Sequence, residues 1–155
     1  MTSRQDLVAC GLDQLSIGFG IFDAEQRLVS CNSPFKTLRD YPEELCIPGI
    51  SLEALIAFNA NRGDFGSGDA HQQTIERINE IQLSGEREIE REMSNGQILS
   101  ISYRNMENGG LLVVFEDKTQ TRRAEKALAL SEERYALISD AAEEAIYEWD
   151  IENDR

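Results

Sequence analysis

Histidine, cysteine, positive charge and long apolar runs are all scarce in this chain, and each scarcity removes a class of function. His71 is the single histidine. It stands in Asp69-Ala70-His71-Gln72-Gln73-Thr74 at a predicted helix start with no adjacent serine or cysteine motif, so no nucleophile–base dyad can be assembled around it. Cys10, Cys31 and Cys46 are odd in number and lack C-x-x-C spacing, which argues against a disulfide framework and against zinc. They read as small hydrophobes. Lys and Arg total 15 against 29 Asp and Glu, and the resulting formal charge of −14 repels DNA, RNA and anionic lipid. No apolar run approaches the roughly 20 residues of a membrane span. The start, Met1-Thr2-Ser3-Arg4-Gln5-Asp6, has no signal-peptide core, so a cytoplasmic location is expected. The acidic pairs Glu43-Glu44, Glu132-Glu133 and Glu143-Glu144 read as solvated faces, and the glycines between Gly63 and Gly68 follow no strand, as a phosphate loop would require.

What is present is enough for one core and an extension: 155 residues, 41% of them hydrophobic. The chain is organised around the stretch from Leu111 to about Ala145. Leu111-Leu112-Val113-Val114-Phe115 is short, apolar and rich in β-branched residues, and reads as a buried strand. After Glu116-Asp117-Lys118-Thr119 the period changes. Ala124, Leu128, Ser131, Tyr135, Ile138, Ala142 and Ala145 recur in alternating steps of four and three, the seam of a coiled coil. A lone helix of this length gains little from its own domain, so a homodimer through a parallel coiled coil is expected.

Upstream, Leu7, Val8, Leu12 and Leu15 mark a short amphipathic helix from Asp6 to Leu15. Gly18–Phe22 and Arg27–Cys31 form a hairpin about Asp23-Ala24-Glu25-Gln26, and Asn32 or Ser33 caps a short helix with Pro34 at its start. Ser51 caps a helix that ends near Gly63, and Asp69 caps another that ends near Gly85. Then the period falls to two. Ile89, Arg91 and Met93 alternate with glutamates, Asn95-Gly96 predicts a two-residue turn, and Leu99, Ile101 and Tyr103 return. This order is α+β, with helices inserted between the halves of an antiparallel sheet.

Gly18-Phe19-Gly20-Ile21-Phe22-Asp23, Arg27 to Phe35 with its Asn32-x-x-Phe35 spacing, Pro48-Gly49-Ile50-Ser51-Leu52 and Asp117-Lys118-Thr119 together resemble a PAS domain, the sensor module of bacterial signalling proteins. The resemblance covers about Leu15 to Thr119 and implies a five-stranded antiparallel sheet. Its terminal D-x-T signature corresponds to Asp117 and Thr119, which it implies fasten the last strand to the outgoing helix and relay the signal; Lys118 departs from the usual apolar middle residue. The implied organisation is an N-terminal helix over 1–15, a PAS domain over 16–118, a signalling helix over 119–145, and over 146–155 the start of a second PAS domain or a continuation of the helix. Ala145 to Asp150 is laid out like Gly18 to Asp23, and Asn153-Asp154 suits a turn.

Residues expected to line a buried cavity, or a plain core, are Phe19, Ile21, Leu28, Ile56, Ile75, Ile78, Leu99, Ile101, Tyr103 and Val113, with Arg91 and Tyr103 as polar groups for an unknown small ligand. No cofactor or metal is expected. Haem would need His71 to point inward, and a flavin photoreceptor would need a cysteine in an Asn-Cys-Arg-Phe-Leu-Gln-like helix, which neither Cys31 nor Cys46 occupies. The fragment itself reads as non-catalytic. A downstream effector of the same chain, a histidine kinase, a diguanylate cyclase or phosphodiesterase, or a nucleotide cyclase, is what the resemblance implies as output, with a ligand-free dimerisation and spacer domain as the alternative.

Overall fold

Side-chain caps set the helix starts in the computed structural model, which describes residues 3–14, 16–93 and 95–153. Helix α1 (Arg4–Asp13) begins earlier than apolar spacing predicts. Ser3 accepts from the Asp6 amide and Asp6 accepts from the Ser3 amide, both at 3.1 Å, so the reciprocal cap draws Arg4 and Gln5 into the first turn. Strands β1 (Ile17–Phe22) and β2 (Leu28–Cys31) form the first hairpin, and α2 (Ser33–Leu38) follows under the cap of Asn32. After a single 3-10 turn at Glu43–Leu45 come α3 (Leu52–Arg62) and α4 (Ala70–Ser84), capped by Ser51 and Asp69. Gly63 ends α3 at a φ of 90°, where a side chain would be strained.

The antiparallel strands β3 (Glu86–Glu92), β4 (Ile98–Asn105) and β5 (Leu111–Asp117) complete a five-stranded sheet in the order β2-β1-β5-β4-β3. The α+β meander with inserted helices is therefore the observed fold. The β3–β4 turn is longer than the two residues that Asn95-Gly96 predicts. Met93 donates to the Gln97 carbonyl at 2.7 Å and Gly96, at a φ of 84°, donates to Met93 at 2.9 Å, leaving three residues in the loop.

The core lies between one face of this sheet and the helices, centred on Phe22, Phe35, Leu55 and Leu99, all under 2% exposed. Here the expected facing of β1 is corrected. A Cβ on Gly18 would lie 2.7 Å from the Phe35 amide nitrogen, and one on Gly20 would lie 2.6 Å from the Phe35 ring. Gly18, Gly20 and Phe22 are thus the helix-side positions, and period two turns Phe19 and Ile21 to the opposite face. The glycines open the space that Phe35 fills.

The chain divides into two compact units, residues 1–118 and 119–155. The second contains a single helix, α5 (Thr119–Asn153), 35 residues or about 52 Å at 1.5 Å per residue. It runs unbroken through the segment expected to be either a strand or a helical continuation, so helix is the outcome up to Asn153. Asp154 and Arg155 lie outside the described residues, as does Leu15.

Candidate functional site

Beneath the sheet, Asn32 does two jobs from one buried side chain. Its Oδ1 accepts from the amides of Phe19 (2.9 Å) and Phe35 (3.2 Å), and its Nδ2 donates to the Ile17 carbonyl at 2.7 Å. That bond set fixes α2 on β1 and delivers the Phe35 ring onto Phe115, stacked at 4.8 Å and 13°. Tyr41 joins them with its ring 5.7 Å from that of Phe35, and its hydroxyl accepts from Asn59 Nδ2 at 2.9 Å. What remains between these groups is a void of about 10 Å³ lined by Phe35, Arg39, Tyr41, Ile56, Asn59, Tyr103 and Val113, among others. That is at or below the smallest space that holds one water. Burial, and after it the field of Tyr41, pushes the Tyr103 hydroxyl up to about 12.

Of the expected cavity residues, Ile56, Tyr103 and Val113 meet at this void. Leu28, Leu99 and Ile101 are packed core, and Ile78 is partly buried against it. Ile75 is 43% exposed, one helical step off the buried stripe marked by Thr74, Ile78 and Ile81. Phe19 and Ile21 line a different space, an apolar groove of about 710 Å³ on the outer sheet face, with Val8, Leu12, Leu112 and Val114. His71 is exposed in the first turn of α4 and lines neither space. Among the described residues, no group of three or more His, Cys, Asp or Glu side chains could hold a metal ion. No helix there is long and apolar enough to cross a membrane.

A third space is polar, and its charged lining has no local signal in the sequence. Arg39, only 2% exposed in its side chain, donates to Asp64 at 3.0 Å, and Arg62 meets the same carboxylate at 2.7 Å. Burial opposes the Arg62 charge, yet the hydrogen bond and field of Asp64 outweigh it and raise its pKa. Arg91, a candidate to orient a ligand if it faces inward, reaches this region. It donates to the Asp64 carbonyl at 2.8 Å and lies over the Phe65 ring at 4.8 Å. Arg62-Gly63-Asp64 is readable as a local pair after a helix end. Nothing in Leu38-Arg39-Asp40 marks an arginine as buried, because its partners come from 25 residues along the chain.

At the end of the sheet, β5 stays paired with β4 up to the Lys118 amide, which donates to the Ile98 carbonyl at 2.8 Å, and Gln97 donates to the Asp117 carboxylate at 2.8 Å. Helix α5 begins at Thr119. Along it, Leu128, Tyr135 and Ile138 are 61%, 76% and 69% exposed, and Ala124, Ser131, Ala142 and Ala145 are exposed too.

Comparison with known proteins agrees with this architecture. Among solved structures, the chain is similar to the PAS domain of BvgS from Bordetella pertussis, at 13% identity and a TM-score of 0.51 over 84% of this chain and 98% of that one. It is also similar to a domain of the sensory box sensor histidine kinase/response regulator from Geobacter sulfurreducens, at 16% identity and a TM-score of 0.42 over 76% and 100%. No curated protein matches the sequence. The family model described as the PAS fold matches residues 12–126, and by that match the chain belongs to the PAS-fold family, the sensory modules of signal-transduction proteins.

Proposed function

We propose that the chain is a cytoplasmic sensory and dimerisation module that passes a signal from its sheet, through Asp117 and Thr119, into a parallel homodimeric coiled coil made by α5. The observation that carries this reading is the junction. The central strand of the sheet stays hydrogen-bonded through Lys118, and the next residue opens a 35-residue helix with an exposed apolar seam. A displacement of β5 along β4 reaches that helix with no loop to absorb it. A seam that mixes Leu128 and Ile138 with alanines, Ser131 and Tyr135 suits two registers of similar energy, and a register change is what a downstream kinase or cyclase domain of the same chain would read.

Sedimentation tests the dimer. Leu128→Arg and Ile138→Arg are expected to shift the protein from dimer to monomer with its far-UV circular dichroism kept, because each puts a charge in the seam. Dimers that survive both substitutions overturn the coiled-coil interface. A second reading, a ligand-free dimerisation and spacing domain, is favoured by the filled interior, whose void of about 10 Å³ leaves no room for a sensed molecule there. Native mass spectrometry of freshly purified protein separates the two, since a retained small molecule supports sensing and a bare dimer supports spacing.

A further inference from the structure

The interior is full, so a sensed molecule needs another seat, and the charge distribution supplies one. Five arginines, Arg39, Arg62, Arg77, Arg87 and Arg91, gather on the side of the fold formed by the end of α2, the α3–α4 loop, α4 and β3. Their ion pairs use two carboxylates. Asp64 takes Arg39 and Arg62, and Glu80 takes Arg77 and Arg87 at 3.1 and 2.9 Å. Among the described residues Arg91 has no carboxylate partner, only the Asp64 carbonyl and the Phe65 ring, which it shares with Arg77 at 4.7 Å. Burial, and then the fields of Arg77 and Arg39, lower its pKa.

Arg39 adds a second, buried cation beside it. It is nine-tenths buried and more, its Nε has no acceptor among the described residues, and its Nη1 has only the Met93 sulfur at 4.0 Å. Sulfur is a weak acceptor. Both arginines line a groove of about 460 Å³, within the range of small-molecule sites and far roomier than the void beside it. Two other acids reach its rim. Asp40 and Glu92 are both exposed, and Asp64, which also lines the groove, is already taken by Arg39 and Arg62.

We propose that this groove binds a small organic carboxylate, received by the guanidinium fork of Arg91 with Arg39 beside it in the groove lining. A planar two-oxygen anion matches a guanidinium edge with two parallel hydrogen bonds. On a surface with a formal charge of −14, an anion finds attraction only where arginines concentrate. The site lies where β3 and the Gln97 end of β4 meet, and Gln97 also holds Asp117. This deepens the sensory reading by naming the ligand class, and it rests on that reading only for its consequence, not for binding.

Titration calorimetry of the 155-residue protein with succinate, at fixed ionic strength, tests it. The expected result is one saturable site per chain. Arg91→Lys, which keeps the charge and loses the fork, is expected to weaken it about tenfold. Arg91→Gln is expected to abolish it, and the exposed Arg104→Gln to leave it unchanged. If Arg91→Gln alters the circular dichroism, Arg91→Lys decides. Absence of a saturable heat, equal binding by inorganic phosphate, or binding unmoved by Arg91→Lys overturns the proposal. Succinate binding that leaves the disulfide cross-linking of a Leu128→Cys variant unchanged sinks the relay while the site stands.

Discussion

Phe35 sits at a point where three constraints meet, and its neighbours inherit them. Its amide is tied to Asn32, its ring stacks on Phe115, and its other flank is closed by the two glycines of β1. Gly18→Ala drives a methyl into backbone, which cannot swing away, and Gly20→Ala drives one into a ring already held on its far side. Each is expected to cost roughly 1–3 kcal/mol in urea unfolding, as overpacking does. Gly11→Ala, on a helix with nothing within 4 Å, should instead gain up to about 1 kcal/mol. Burial also raises two acids in this region, the Cys46 thiol to about 11 and the Tyr103 hydroxyl to about 12. The unfolded chain releases these protons at lower pH than the folded one does. Over roughly pH 9–12 the folded state therefore holds more protons, and stability falls as pH rises. Urea midpoints should decline as pH rises through that window, with Tyr103→Phe removing the upper part of the slope. Cys31 is likewise raised by burial, so alkylation at pH 8 should find exposed Cys10 fast and the other two thiols slow.

Among the elements, α2 shows why some of the fold was legible in the sequence and some was not. Asn32-x-x-Phe35 announces a capped helix because the bond from Asn32 Oδ1 to the Phe35 amide is local. The same side chain's bonds to Ile17 and Phe19 are not local, and they make it a rivet between helix and sheet. Asn32→Ala is therefore expected to lose more than a surface cap does, about 2–4 kcal/mol, since a buried amide and a half-buried carbonyl of β1 lose their partner. Asn32→Asp, which keeps the acceptor and loses the donor, should fall between. Period and capping likewise located β3, β4, β5 and the helix ends at Gly63 and Gly85. They misjudged β1, where an alternation of glycine with Phe19 and Ile21 looks like apolar-in, glycine-out. The large ring that needs the glycine side comes from another element. Arg39 was invisible for the same reason: its burial depends on Asp64 and Phe115 arriving from two later segments.

For the molecule as a whole, the partition of apolar surface decides what can be cut away. Every residue of the buried core cluster lies between Phe22 and Phe115, and the partly buried residues packed on it run from Cys31 to Met93. Helix α5 contributes none of them, and its large apolar side chains from Leu128 to Trp149 are exposed. Ending the chain after Lys118 should therefore leave the sheet and its helices folded, with the β5–β4 ladder complete. The urea midpoint of residues 1–118 is expected to match that of the full chain measured at low protein concentration, where a dimer contributes least. At high concentration the two should separate, because a coiled coil adds stability by mass action only to the chain that carries the helix. Circular dichroism should lose the helical signal of 35 residues and keep that of the sheet. A truncated chain that unfolds at every concentration would mean that the helix stabilises the globule directly, and the rod would then be part of the domain and not its output.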